Sequence, residues 1–292
     1  MFQSFAWNRL AARAFVKTEE PHVVMVSNDS GAAIIPAAIA DDGPRIVLLG
    51  DELFDYRDVL TGGSDEPLRR AWGELAKLGL PMPVKAIRNT ALPRWQGLGV
   101  TPFTRAPQVR RAEISVEEFE AKHRRLSRLF RRCERAGLRV HHCDGKESRF
   151  LRWIYEQKAL QLSGKRNNIF ASERRIEFMI AIAAMHPSRC DIFVLNSGSD
   201  VVAALVTFRD RNVRRFYTTY FDQEWARHSP GQLLLFEITR RTLAAGLDCD
   251  YMTGEQQHKT RLATSSIALY KAEATPDMLW RVANQPEEQI AA

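Results

Sequence analysis

The strongest candidate for chemistry in this sequence is a strand, a polar loop and an apolar helix between positions 213 and 245. The loop ends in Ser229-Pro230-Gly231, and Gln232 opens a strongly apolar run. N–H groups in the first turn of a helix have no partner within the helix, and the helix dipole favours an anion there. Gly231 would let a phosphate approach the backbone, and Arg227 would add positive charge. The segment predicts an anion site at Arg227, Ser229, Gly231 and Gln232, with an ordinary helix cap as the alternative.

A second polar segment follows one strand later, from Gly254 to Lys259. An acid and a lysine that follow a glycine at the carboxyl end of a strand are typical of ligand sites in α/β proteins. Lys259 would neutralise a phosphate or a developing oxyanion, and Glu255 would accept a proton. The alternative is a polar surface turn.

The remaining reactive residue types do not form a known pattern. His142 and Cys143 are adjacent, so on a strand they point to opposite faces, and Cys133 and His141 add no pair with zinc-site spacing. The sequence contains neither a Gly-x-Ser-x-Gly nucleophile elbow nor a phosphate-binding P-loop. We therefore predict no metal site.

The elements that must position these residues follow from the apolar pattern of the second half. Runs rich in Val and Ile between turn residues predict strands, and apolar residues at helical spacing predict helices. Ser115 and Glu118 form a capping box that begins a basic helix, which Gly137 ends. The other predicted helices are 148–162, 172–185, 231–245 and 255–262, and the predicted strands are 138–143, 191–196, 201–209, 213–222, 249–252 and 266–273.

The first half has a similar order of elements. It predicts strands 22–27, 32–40, 45–49 and 82–87, a helix around 68–76 and a long irregular connection at 90–107. Each half thus contains strands, then a helix, then a strand. This order favours an α+β (mixed αβ) fold made of two tandem units, with central mixed sheets flanked by helices.

The positive charge of the chain is confined to one segment. The 292 residues carry a formal net charge of +7, and Lys122–Arg139 contains eight basic residues and one acid, so the remainder is balanced. The basic helix in this segment has three interpretations. It is a solvated outer face, a site for an anion such as the phosphates of CoA, a nucleotide sugar or an acidic polymer, or a nucleic-acid contact. Because aromatic residues are not interleaved with the basic ones, nucleic acid is the least expected, although tRNA stays open.

Targeting signals and membrane spans are not expected. The longest apolar run, 32–40, has about half of the roughly twenty residues that a spanning helix needs. Arg9 and Arg13 interrupt the apolar core that a secretory signal would require. The four cysteines are widely spaced, which is typical of reduced thiols in a cytoplasmic protein.

The two polar segments together resemble the C-terminal half of the CelD/BcsL-type acetyltransferases, a family associated with cellulose biosynthesis. This family belongs to the GNAT superfamily and is related to the Fem-type transferases. The arginine-rich helix that ends at Gly137 also resembles the helix before the transferase half of that family. The resemblance covers roughly 112–274, and the first hundred residues match only in strand order and in Asp55-Tyr56. It is carried by Asp222, Trp225, Ser229-Pro230-Gly231, Gly254-Glu255 and Lys259.

The resemblance implies a double GNAT fold, with a degenerate N-terminal half at 1–110, an acyltransferase half at 111–276 and a tail at 277–292. It also implies acetyl-CoA or another acyl-CoA as donor, and no metal. The pantetheine arm would pair with the strand that carries Tyr217, and the diphosphate would lie at the N-terminus of the next helix. The sequence departs from the family at two positions: Leu233 replaces the second small residue of the phosphate motif, and His258 stands where Tyr is usual.

The implied reaction is direct attack of an acceptor amine or hydroxyl on the thioester, as an N- or O-acyltransferase. The acceptor would be a small or sugar-linked molecule of envelope or exopolysaccharide metabolism. Two alternatives are a Fem-type aminoacyl-tRNA-dependent transferase and a non-catalytic GNAT-like binding module. The candidate groups are Asp222, Glu255 and His258 as bases, Tyr217 or Tyr220 as the acid for the leaving thiolate, and Lys259 as the stabiliser of the oxyanion.

Overall fold

A computed structural model of the protein describes residues 3–165 and 168–285. The chain divides into two compact units, which are described separately. The C-terminal unit is Arg105–Ile267, and the N-terminal unit combines the residues up to Thr104 with those from Ala268 onward. The first division falls a few residues before the predicted position between 110 and 111. The return of the chain to the N-terminal unit after Ile267 was not expected.

The N-terminal unit contains an antiparallel sheet around one central strand. Its elements up to residue 88 are α1 (Phe5–Ala14), β1 (Glu19–Asn28), β2 (Gly31–Ala40), β3 (Arg45–Leu48), β4 (Leu60–Gly63), α2 (Glu66–Ala76) and β5 (Met82–Arg88). β1 pairs with β2 along its whole length, while β3 and β4 pair with different parts of β2. Helix α1, which was not predicted, begins at Ser4, whose side chain accepts a hydrogen bond from the N–H of Trp7.

The C-terminal unit contains a mixed sheet with helices on both faces. From residue 100 the elements are β6 (Val100–Val109), α3 (Val116–Lys122), α4 (Arg124–Arg135), β7 (Leu138–Asp144), α5 (Ser148–Gln161), α6 (Glu173–Met185), β8 (Cys190–Ser197), β9 (Asp200–Asp210), β10 (Val213–Phe221), α7 (Pro230–Ala244), β11 (Asp248–Asp250), α8 (Gln257–Thr260) and β12 (Ser265–Ala274). The start of β6 and most of β12 belong to the N-terminal unit. Within this unit the strand order runs β6, β11, β10, β9, β8, β7. In the described part of this sheet, β10 and β11 pair in parallel, and the pairs β6–β11, β9–β10, β8–β9 and β7–β8 are antiparallel.

Helices cover both faces of the central strands. β8 is buried except at its last two residues and β9 along its middle, as expected for strands that are covered on both sides. One face packs against α7, with Phe119 of α3 and Phe130 of α4 joining Phe193 and Phe216 in a single apolar cluster. The mixed α/β architecture with flanking helices is therefore confirmed. None of the helices in the described part of the chain is long and apolar enough to span a membrane.

Two predicted elements differ from the structure. The basic helix is broken at His123, where the backbone leaves helical geometry and the imidazole ring lies 4.7 Å from the ring of Phe119. The connection predicted at 90–107 contains strand β6. Proline is tolerated in a strand where no N–H is needed, and Pro107 serves the sheet through its carbonyl, which accepts from the N–H of Tyr251 at 3.0 Å.

The residues after Pro276 form a helix, α9 (Pro276–Ala283), where a loosely held tail was expected. Thr275 caps this helix by accepting a hydrogen bond from the N–H of Met278 at 3.2 Å. Leu279 and Val282, three positions apart, are buried, and α9 packs against α2. The first part of the predicted tail 277–292 is therefore a helix, because its apolar residues pack against α2. Residues 286–292 lie outside the described residues.

Candidate active site

The candidate site begins where two parallel strands separate. β10 and β11 pair over three residues only, from Val213 with Asp248 to Arg215 with Asp250. β11 then ends, while β10 continues for six more residues to Phe221. The edge of β10 that faces β11 is therefore unpaired beyond Arg215 in the described part of the sheet. The gap opens at the carboxyl ends of both strands, which is where α/β proteins bind ligands.

A β-bulge at Tyr217 decides which side chains of β10 face this gap. Phe216 pairs with Thr207 of β9, but Thr218 pairs with the next residue, Val206, so Tyr217 is the extra residue. Because the bulge shifts the alternation by one position, Thr219 and Phe221 take the side of the sheet that carries α7. Tyr220 takes the opposite side, where its ring lies 5.3 Å from that of Trp153.

A cleft of about 310 Å³ lies beside this part of β10. That volume is at the lower end of the range for small-molecule sites in proteins. β10, the loop after it, the first turns of α7 and single residues of α5 and α8 form its boundary. The lining residues are Lys158, Thr219, Phe221, Ala226, Ser229, Pro230, Gly231, Gln232, Leu235 and His258.

The first turn of α7 borders the cleft without a side-chain cap. Ser229 occupies the N-cap position in the left-handed conformation, with φ of 50°, and its side chain makes no capping hydrogen bond. Its carbonyl accepts from the N–H groups of Gln232 and Leu233, at 3.0 and 3.1 Å. Among the described residues we find no partner for the N–H of Gly231. Ser229 and Pro230 thus occupy the N-cap and the first helical position, as the cap interpretation predicts, but the serine side chain makes no capping bond and the turn keeps a donor for a ligand.

Gly231 has a packing role. A Cβ atom at this position would lie 3.3 Å from Cδ1 of Phe221, which is tighter than ordinary van der Waals contact. The glycine therefore lets α7 approach the end of β10 closely. The space that was expected to receive a phosphate at this Cα is taken by the Phe221 ring, so a phosphate would have to reach the backbone N–H from the cleft side.

Lys158 is the cation that lines the cleft, and the sequence interpretation missed it. Its Nζ donates to the carbonyl of Thr219 and to Oε1 of Gln161, both at 3.0 Å. Burial, followed by the charges of Lys165 and Lys259, lowers the pKa of Lys158. Its helical spacing could have indicated it, because Lys158 lies on the same inward face of α5 as Ile154 and Tyr155.

His258 also lines the cleft, as the only base candidate of the sequence analysis among the lining residues of this described cavity. Partial burial, together with the charges of Lys259 and Lys158, lowers the pKa of His258 below its ordinary value of 6.5. The imidazole is therefore neutral at pH 7 and able to accept a proton.

Three of the predicted catalytic residues lie outside the cleft lining. Lys259 donates from Nζ to the carbonyl of Thr253 at 2.8 Å, which holds the loop after β11. Asp222 accepts from the N–H of Glu224 at 3.0 Å and begins the 3-10 helix Gln223–His228. Glu255 is exposed. The structure gives the first two a local structural role, and their catalytic roles stay predictions.

Arg227, Tyr217 and Tyr220 are also outside the lining. Arg227 is exposed, and its Nε donates to Nε2 of His228 at 3.0 Å. Tyr217 donates to the sulfur of Met179 at 3.5 Å, on the α6 side of the sheet. Burial and the nearby Asp222 raise the pKa of Tyr220. The structure thus brings Ser229, Gly231, Gln232 and His258 together with Lys158, and leaves the other candidates around them.

The basic helix contributes an exposed charged face. Arg131 forms an ion pair with Glu120 at 3.0 Å. The other five arginines of α4 are exposed, and we find no ion pair between any of them and a described residue: Arg124, Arg125, Arg128, Arg132 and Arg135. No group of three or more His, Cys, Asp or Glu side chains suited to a metal occurs in the described part of the chain.

Comparison with known proteins identifies the fold around this cleft. Residues 121–260 match the family model of the acetyltransferase (GNAT) domain. The C-terminal unit contains a GNAT acetyltransferase-like domain. The match spans the basic helix, the separated strands and the cleft. The sequence has no significant match among curated proteins.

Several solved structures resemble the fold of nearly the whole chain. The C-terminal domain of a protein described as a lysylphosphatidylglycerol synthetase from Agrobacterium fabrum has a TM-score of 0.62 and 12% identity, over 94% of this chain and 93% of that one. L-PGS from Bacillus licheniformis has a TM-score of 0.59 and 12% identity, over 95% of this chain and 97% of that one. FemX has a TM-score of 0.56 and 8% identity, over 94% of this chain and 90% of that one. At such low identity these likenesses concern the fold alone, and they include a Fem-type protein. Together with the match to the GNAT domain model, they confirm the predicted GNAT-like fold class.

Proposed function

We propose that the protein is an acyl-CoA-dependent N- or O-acyltransferase and that its reaction takes place in the cleft beside α7. One observation carries this proposal. In a GNAT-like domain, the unpaired edge of β10 and the uncapped first turn of α7 border the same cavity. An extended amide-bearing arm suits the strand edge, and a diphosphate suits the helix start.

Donor binding would use the backbone more than side chains. The first turn of α7, with Ser229, Gly231 and Gln232, would hold the diphosphate, and the free edge of β10 near Thr219 would pair with the pantetheine arm. A cleft of about 310 Å³ accommodates part of such a donor, so the nucleotide would extend beyond it. Arg227, on the exposed loop, would bind that part of the molecule.

Acyl transfer to an amine or hydroxyl requires a group that accepts a proton from the acceptor and later donates it to the leaving thiolate. The acceptor nitrogen or oxygen attacks the thioester carbon, and neutral His258 takes its proton. When the tetrahedral intermediate collapses, the C–S bond breaks and the imidazolium returns the proton to the leaving thiolate. We assign this role to His258 before Asp222 and Glu255 because it lines the cleft. Lys259 would supply positive charge for the oxyanion.

The acceptor class rests on the resemblance to the CelD/BcsL-type family alone. We propose a small or sugar-linked amine or hydroxyl of envelope or exopolysaccharide metabolism, acylated on the cytoplasmic side where acyl-CoA is available.

Release of free thiol from acetyl-CoA in the presence of amine and sugar acceptors tests the proposal. We expect thiol release that depends on the acceptor and is lost in His258→Asn. His141→Asn is a matched control, because His141 is exposed on β7, away from the cleft. Binding of acetyl-CoA without thiol release would favour a non-catalytic module.

The exposed arginines of α4 favour a second candidate, a Fem-type transferase that takes its acyl group from aminoacyl-tRNA. Five arginines without an ion pair among the described residues suit a phosphate backbone. Titration of tRNA at several salt concentrations tests this candidate. Here Arg128→Glu with Arg132→Glu should weaken binding and lower the salt slope by about 2. Salt-sensitive tRNA binding combined with no binding of any CoA ester would replace the first candidate by the second.

A further inference from the structure

We infer that Lys158 is the counter-ion for a phosphate group of the ligand that occupies the cleft. This inference rests on the proposed function for the location of the ligand. It concerns a residue to which neither the sequence pattern nor the resemblance gave a role.

The position of Lys158 in its helix is unusual for a lysine. The stripe of α5 that faces the sheet includes Leu151, Ile154 and Tyr155, all fully buried, and Lys158 continues that stripe one turn later. The residue is half-buried and is part of the cleft boundary. Lysine is rarely buried without a partner, because an ammonium group loses its hydration when it leaves water.

The hydrogen-bond partners of Lys158 do not neutralise its charge. Two of its three N–H donors bind neutral oxygens, the carbonyl of Thr219 and the amide of Gln161. In the part of the chain that the structure describes, no carboxylate lies within ion-pair distance of Nζ. The charged groups that influence it, Lys165 and Lys259, are cations. The third donor and the uncompensated charge therefore remain for a group in the cleft.

The neighbouring groups define the charge of that ligand group. The first turn of α7 supplies the positive end of a helix dipole and the N–H of Gly231, and His258 lines the other side. A cation, a helix start and a free donor around one cavity favour an anion with several acceptor oxygens. A phosphate has this chemistry, and it would come from the diphosphate of acyl-CoA or from a phosphorylated acceptor.

A purely structural role is the competing explanation. The hydrogen bond from Lys158 to Thr219 connects α5 to β10, and it would stabilise the unit without any ligand. Lys158→Gln separates the two roles, because an amide N–H can keep the bond to the carbonyl while the charge is lost. Lys158→Met removes both. Lys122→Met is the matched control: Lys122 also reaches a backbone carbonyl, that of Ala263 at 3.5 Å, but it is exposed and outside the cleft.

Calorimetric titration of the full chain with CoA, pantetheine and inorganic pyrophosphate tests the inference. We expect Lys158→Gln and Lys158→Met to lower the affinity for CoA and for pyrophosphate by roughly 10- to 100-fold, the effect of losing a charge-assisted hydrogen bond. Pantetheine, which has no phosphate, should bind as to the wild type. Lys122→Met should change none of the three. Thermal unfolding of each variant reports whether it is folded.

The outcomes separate this inference from the proposed function. If the wild type binds pyrophosphate through Lys158 but not CoA, the proposed donor is wrong and the phosphate site stands. If Lys158→Gln lowers pyrophosphate binding and leaves CoA unchanged, the site stands and the phosphate belongs to the acceptor. If folded Lys158→Gln binds both as the wild type does, or if the wild type binds neither, the inference is overturned.

Discussion

Asp250 and Arg215 form a buried ion pair, with Nη1 of Arg215 2.7 Å from Oδ2 of Asp250, at the last residue pair that joins β10 to β11. The other oxygen of Asp250 accepts from the N–H of Met252 at 2.9 Å. The pair therefore closes the ladder at the point where the two strands separate, and it also fixes the turn that leaves β11. It anchors the gap that we interpret as the ligand cleft.

Loss of Asp250 should be costly. Asp250→Ala removes the buried carboxylate partner of the Arg215 guanidinium, while the ion pair with the partly exposed Asp210 remains. We expect a fall of about 3–5 kcal/mol in the free energy of unfolding, measured by urea denaturation. Asp210→Ala, which removes the more exposed partner, should cost about 1 kcal/mol or less. Equal losses in the two variants would show that the strand junction does not depend on Asp250.

Gly231 should tolerate only a small side chain. Gly231→Val places two extra methyl groups against the Phe221 ring, and overpacking of this kind costs about 1–3 kcal/mol. Gly62→Ala is the control, since no atom lies within 4 Å of a Cβ at that position. Thermal unfolding of both variants checks this. An unchanged midpoint for Gly231→Val would contradict the close approach of α7 to β10.

Substitution of the N-cap serine should have opposite effects on stability in α3 and α7. Ser115 caps α3 through the N–H of Glu118, so Ser115→Ala should lower the free energy of unfolding by about 1 kcal/mol. Ser229 makes no capping bond and has a left-handed backbone, so Ser229→Gly should raise it by roughly 0.5–1 kcal/mol. Urea denaturation measures both. A loss of stability in Ser229→Gly would mean that its side chain does support α7.

Local patterns predicted the elements around the cleft well. Helix α7 was expected at 231–245 and occupies Pro230–Ala244, and β8 to β10 differ from their expected limits by one or two residues. These elements are apolar runs bounded by turn residues, so their limits are set locally. Ser229, Gly231 and Gln232 lie in the cleft for the same reason, because a strand, a loop and a helix follow each other directly.

Features that depend on distant parts of the chain could not be predicted in this way. The bulge at Tyr217 exists only in the register with β9, and it turns Tyr220 away from the cleft. Lys158 reaches the site from a helix about 60 residues earlier, through a bond to Thr219. Strand β6 was hidden by its prolines, and its pairing with β11 is visible only in three dimensions.

The pH dependence of transfer should report His258. The pKa of His258 is lowered from its ordinary value of 6.5. The imidazole is therefore a neutral base above that lowered pKa, and protonation removes the base at lower pH. We expect kcat/KM to rise with pH through an apparent pKa below 6.5 and to be level from there to pH 7.5. In His258→Asn this limb should be absent. A rise with an apparent pKa near 8 would assign the proton transfer to another group.

The most direct measurement of the central claim is a calorimetric titration with acetyl-CoA of the wild type and of a variant whose cleft is filled. Gln232→Trp places an indole at the cleft boundary, while Gln257→Trp places one on exposed α8, outside the lining. We predict saturable one-to-one binding to the wild type and to Gln257→Trp, and none to Gln232→Trp. Equal binding to all three proteins, or no heat with the wild type, would contradict a donor site at the start of α7.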